Sequence, residues 1–131
     1  MTAFIDTNVL IRHLTGDPPA QPARATRYLE RSEELLLPDL VLAEVAYVLE
    51  SFYEAPRSQV AETLRAVLAY PAIHVVETDL LQWAVEVYDV HRLDFADAYL
   101  VASAERSGVN VIASFDRSID KVGTVRREEP S

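Results

Sequence analysis

The stretch that most constrains the fold is Ala3-Phe4-Ile5-Asp6-Thr7-Asn8-Val9-Leu10-Ile11. A short apolar run reads as a buried strand, and a carboxylate stands where it ends. Thr7 and Asn8 have the chemistry of a turn or helix cap, and the apolar residues after them recur at helical spacing. Asp6 therefore falls at the carboxyl end of a strand, where open α/β sheets receive their ligands.

The same alternation continues along the chain. Helices are predicted over residues 8–14, 23–34, 40–52, 58–70, 79–91 and 94–106, and strands over 35–37, 73–76 and 109–115. Gly16-Asp17-Pro18-Pro19 closes the first helix, Pro22 suits a first helical turn, and Gly108 stops the last helix. A helical turn and an edge strand over 123–126 lead to a charged tail that is expected to fray. The run Leu40-Val41-Leu42-Ala43-Glu44-Val45-Ala46-Tyr47-Val48-Leu49 is apolar nearly all round, so its helix is expected to be buried on most of its surface. Strands separated by helices require crossover connections. The expected fold class is α/β: a central, mostly parallel sheet of four to five strands, flanked by helices on both faces. A length of 131 residues suits a single domain over 1–131.

Composition removes several classes of function. Without cysteine there are no disulfides, thiolate metal sites or cysteine nucleophiles. No apolar run approaches the ~20 residues that cross a bilayer. Asp6 and Asn8 interrupt the first apolar run, so these residues are expected to belong to the fold rather than to a leader. A soluble, cytoplasmic protein is the expectation, with no membrane partner. The net charge of −9 opposes broad nonspecific nucleic-acid binding, although carboxylates gathered around a divalent cation inflate that count. Lys121 is the only lysine.

Asp6, Glu44, Asp97 and Asp116 each interrupt or end an apolar segment. An isolated buried carboxylate shifts its pKa, pairs with a cation or binds a metal. Asp6 and Asp116 follow strands, and Glu44 and Asp97 lie in the first turns of helices that begin at the same sheet edge, so the topology allows all four to meet. Hard oxygen donors without thiolate or adjacent histidine suit Mg2+ or Mn2+. Each residue also has a local explanation. Asp6 serves as a helix cap, Asp116 as the start of a turn, and Asp94 as the cap of its own helix. Asp97 has Arg92 or Arg106 as a salt-bridge partner, and Glu44 has Tyr47 or a backbone group. His13, His74 and His91 are scattered and form no ligand pattern.

With these residues in view, the chain resembles the PIN-domain nucleases. Its compact length resembles the VapC-type ribonuclease toxins of type II toxin–antitoxin pairs. The likeness covers almost the whole chain: Ile5-Asp6-Thr7-Asn8, then Glu44, then Asp97-Ala98-Tyr99-Leu100-Val101-Ala102, then Ser114-Phe115-Asp116. It implies that Asp6, Glu44, Asp97 and Asp116 bind Mg2+ or Mn2+ and cleave RNA, with Asp94 as an auxiliary ligand one turn before Asp97. It also implies auxiliary roles for Thr7, Asn8 and Ser114, the last standing where threonine is commoner. A metal-activated water would attack the phosphodiester, with Asp97 or Asp116 accepting its proton. Arg12, Arg92 and Arg117 are candidate RNA contacts, with solvated surface charge as the plainer explanation for each. The likeness further implies a small antitoxin partner and a homodimer; Trp83 and Phe52 suit such surfaces, but a core position is the expectation for both. The rival readings are a non-catalytic PIN-like protein that binds RNA or a partner, and an aspartate-based phosphatase. The phosphatase wants a second aspartate where Asn8 stands, and a better placed lysine than Lys121.

Overall fold

The strand that ends before Asp6 is one member of a parallel sheet. A computed structural model describes residues 2–16 and 22–131. In it β1 (Thr2–Phe4) pairs in parallel with β2 (Glu34–Leu36), and β2 with β3 (Ile73–His74). The register sets Ala3 opposite Leu35 and Leu35 opposite Ile73. A second parallel pair joins β4 (Val111–Ala113) to β5 (Arg126–Glu128). Among the described residues, hydrogen bonding thus distributes five strands over sheets of three and two.

The chain divides into two compact units, Met1–Ala55 with Ala66–Val76, and Pro56–Arg65 with Glu77–Ser131. The first holds the three-stranded sheet with α1 (Thr7–Thr15), α2 (Pro22–Arg31) and α3 (Asp39–Ser51). α1 packs against both α2 and α3. His13 Nδ1 lies 2.9 Å from Thr26 Oγ1, tying α1 to α2. Ile5, Leu10, Ile11, Leu29, Leu35 and Leu37 are buried, as the apolar periodicity predicts. Gly16 closes α1 in the left-handed conformation that glycine adopts without a Cβ clash, at φ 72°. Asp17, Pro18 and Pro19, expected to complete that closure, lie outside the described residues.

α4 (Arg57–Ala69) is shared, residues 57–65 counting with the second unit. That unit also holds α5 (Thr78–His91), α6 (Phe95–Ser107), the two-stranded sheet and a 3-10 helix (Arg117–Lys121). α5 and α6 form its most extensive helix pair. The Arg57 guanidinium fastens the end of α5: it donates to the carbonyls of Tyr88 (2.9 Å) and Leu93 (2.6 Å) and lies 4.4 Å from the Tyr88 ring centroid. Arg57→Ala removes two charge-assisted hydrogen bonds and the cation over the ring. It is expected to cost about 2–3 kcal/mol in urea unfolding. A loss below about 0.5 kcal/mol would show that the clamp is not structural.

Several predictions need correction. α3 is not buried all round. Only Leu42, Val45, Ala46 and Leu49 are buried, at ordinary amphipathic spacing. Leu40 (79%) and Tyr47 (68%) stand in solvent, and so does Phe52 (74%) just beyond the helix. Neither Phe52 nor Trp83 is a core residue. Trp83 is 46% exposed, and its Nε1 donates to Glu105 Oε2 at 3.0 Å. The strands are shorter than their apolar runs, because each ladder stops where its neighbour stops. β4 pairs only as far as Ala113 opposite Glu128, leaving Val109 and Phe115 exposed. The last strand begins at Arg126 rather than at 123, and Arg127 anchors the tail through Asp120, Glu129 and the Ser114 carbonyl.

Candidate active site

In the first unit, Asp6 lies two residues beyond β1 and caps α1. Its backbone is extended, and Oδ1 accepts from the Thr7 N–H at 2.7 Å. The cap is therefore Asp6, while Thr7 and Asn8 are already helical. Capping and a role at the site do not exclude each other, since the carboxylate is exposed and has a second oxygen. Thr7 is buried at 3% exposure, and among the described residues its hydroxyl finds no hydrogen-bond partner. Such a group costs stability unless something outside the chain satisfies it. Asn8 is exposed in the first turn.

Glu44 is the sixth residue of α3, in its second turn, and it is exposed. The premise that apolar neighbours bury it fails, because those neighbours share its open face. Water solvates the carboxylate, and among the described residues no hydrogen bond ties it to Tyr47. Asp6 and Asp116 are likewise exposed, so burial is a feature of Asp97 alone among the four, and there only in part.

In the second unit, Asp97 is the third residue of α6, and Asp94 occupies the cap position without a side-chain capping bond. Asp116 opens the 3-10 helix, its Oδ1 accepting from the Ser118 N–H at 2.9 Å. Ser114 steadies this turn, its Oγ accepting from the Asp116 N–H at 2.9 Å. Asp97 and Asp116 share a hydrogen bond. Burial pushes the Asp97 carboxyl above its ordinary value, and the charge of Asp116, that shared bond and the charge of Asp94 act in the same direction. Asp116 moves the other way. The Ser118 hydroxyl and N–H hold it low, helped by the bond to Asp97 and the charge of Lys121. The two neighbouring carboxyls are thus shifted apart, Asp97 upward and Asp116 downward. The expected salt bridges of Asp97 are not formed: Arg106 instead reaches Glu77 at 3.6 Å.

Among the described residues, no three histidine, aspartate or glutamate side chains are grouped closely enough to hold a metal ion. The donor chemistry nonetheless suits a hard divalent cation. Asp97 and Asp116 are neighbouring oxygen donors, and a cation between them would relieve their mutual repulsion.

Of the three cations singled out in the sequence, Arg92 is exposed in a left-handed C-cap at φ 58°, and Arg117 is exposed at the start of the 3-10 helix. Arg12 lines a cleft beside α2 with Arg24, Arg27 and Arg31. Those three arginines were missed in the sequence, although their spacing of three and then four residues was a readable signal.

Residues 3–125 match the PIN domain family. A VapC ribonuclease from Aquifex aeolicus (strain VF5) is 26% identical over 123 residues, covering 92% of this chain and 91% of that protein.

Proposed function

The chain belongs to the PIN domain family, and on that premise we propose that it is a divalent-metal-dependent endoribonuclease, the toxin of a toxin–antitoxin pair. The observation that carries this reading is the Asp97–Asp116 pair. Two carboxyls from separate elements are brought together, and among the described residues neither forms a salt bridge.

In this reading Asp97 and Asp116 supply cation-binding oxygens, with Asp94 auxiliary. Asp6 and Glu44 are assigned to the same task by the family motif. The cation, Mg2+ or Mn2+, supplies charge neutralisation at the scissile phosphate and lowers the pKa of water. The chain's own residues do the rest. The Ser118 N–H fixes the Asp116 carboxylate, and the Ser114 hydroxyl accepts from the Asp116 backbone N–H and so steadies the turn that carries it. Asp97, with its raised proton affinity, is the better proton acceptor of the pair. Thr7 keeps a hydroxyl beside Asp6 that substrate or water would satisfy. The products are RNA fragments from hydrolysis without a covalent intermediate.

The same reading takes the chain as a single catalytic domain in the cytoplasm, partnered by an antitoxin and by a second copy of itself. Among the described residues no helix is long and apolar enough to cross a membrane.

The test is cleavage of total RNA with Mn2+ or Mg2+ present, with EDTA, and with metal restored. Fragments are expected with metal, none with EDTA, and their return on restoration. Equal fragmentation in EDTA would overturn metal dependence, and intact RNA in every arm would overturn the nuclease.

A further inference from the structure

In the first unit α1 and α2 line an open cleft of about 470 Å3. Val9 and Arg12 form one wall, and Arg24, Arg27, Tyr28 and Arg31 the other. Acidic residues outnumber Lys and Arg by 21 to 12 in this chain, yet among the described residues none of these four guanidinium groups meets a carboxylate at ion-pair distance. Some arginines elsewhere are matched: Arg65 bridges Glu86 and Asp89, and Arg127 bridges Asp120 and Glu129. Arg24, Arg27 and Arg31 share one face of α2 and span about 10 Å along it. Like charges so placed repel one another, and an anionic ligand relieves that repulsion.

The cleft also holds an aromatic surface. The Arg31 guanidinium lies 5.5 Å from the ring centroid of Tyr28, which is half-buried. A ring and a planar cation together make a platform on which a base stacks. We propose that the α1–α2 cleft docks single-stranded RNA, with Arg12, Arg24, Arg27 and Arg31 taking phosphates and Tyr28 with Arg31 stacking a base. This rests on the ribonuclease reading and specifies where the substrate is held. An acidic peptide would use the charges and leave the platform idle, and a duplex keeps its bases stacked on one another. Arginine's planar fork matches phosphate oxygens in pairs. The position suits such a role, because α1 begins directly after Asp6 and Arg12 follows by less than two helical turns.

The experiment measures binding of a short fluorescein-labelled single-stranded RNA of mixed sequence by anisotropy, in EDTA, across a salt series. Competitors are the same sequence as duplex RNA and a polyglutamate peptide. Arg24→Ala and Arg27→Ala alter exposed helix positions that alanine suits, so both variants fold. Each is expected to lower the slope of log affinity against log salt by about 0.7, one phosphate contact for a single strand. Tyr28→Leu is expected to weaken binding roughly five-fold or more with the slope unchanged. Arg65→Ala, whose charge is already paired, leaves binding as it was. Binding indifferent to the α2 substitutions, or displaced by polyglutamate better than by RNA, overturns the proposal. Cleavage by the wild type with unaffected binding in the α2 variants would sink the cleft and leave the nuclease. Arginine-dependent binding without cleavage in any metal would sink the nuclease and leave the cleft.

Discussion

Asp97→Asn is expected to abolish metal-dependent RNA cleavage while leaving the metal-free protein at least as stable as the wild type. The two effects share one cause. The Asp97 carboxyl resists ionisation because it is partly buried and faces Asp116 and Asp94. At neutral pH the fold therefore carries a charge that it disfavours. Asparagine keeps the shape and an N–H to donate to Asp116, but removes the charge. It also removes an oxygen donor for the cation, a contribution of several kcal/mol at the transition state and so about a thousand-fold or more in rate. Thermal unfolding in EDTA and cleavage in Mn2+ test both halves. A lower melting temperature would make Asp97 a structural residue, and retained cleavage would remove it from the site. Asp6→Asn is expected to silence cleavage too, while keeping its capping role.

Divalent metal is expected to stabilise the protein and to reverse its pH dependence near Asp97. In the metal-free protein Asp97 titrates above its ordinary value of 3.8. A carboxyl raised by folding favours the fold while protonated, so its stabilising contribution is lost as pH rises from 3.8 through the raised value. Asp116 is shifted downward, so its contribution holds above 3.8 and is lost only as pH falls below it. Comparing wild type with Asp97→Asn across this window isolates the Asp97 contribution. With Mg2+ or Mn2+ in hundred-fold excess over Kd, stability should rise by about 2.7 kcal/mol, and the Asp97 carboxyl resonance should titrate at lower pH. A pH profile and a melting temperature untouched by either ion would refute cation binding at this pair.

The local placement of the candidate residues was legible where chemistry is local. Asp6 is where the strand-to-helix switch puts it, and Asp97 opens its helix as expected. Glu44 was expected in the first turn of its helix and in apolar surroundings, and it lies in the second turn and in solvent. An apolar run shows that a helix has something to bury, but which of its faces finds a partner depends on distant segments. On α3 that face carries Leu42, Val45, Ala46 and Leu49, and Glu44 lies on another beside Leu40 and Tyr47. The arginine cleft escaped notice for a related reason. Arg24, Arg27 and Arg31 look like any solvated helix face until α1 brings Arg12 alongside them.

Helix ends were readable from residue order alone, because capping acts across a few neighbouring residues. Gly16 and Gly108 adopt the left-handed closures that their type favours, and Asp6 turns its own chain into α1. Tertiary structure decided how far each strand extends, which apolar residues remain in solvent, and the meeting of Asp97 with Asp116. Those outcomes depend on contacts between segments remote in sequence, where pairing partners, desolvation and charge repulsion are set by the folded chain as a whole.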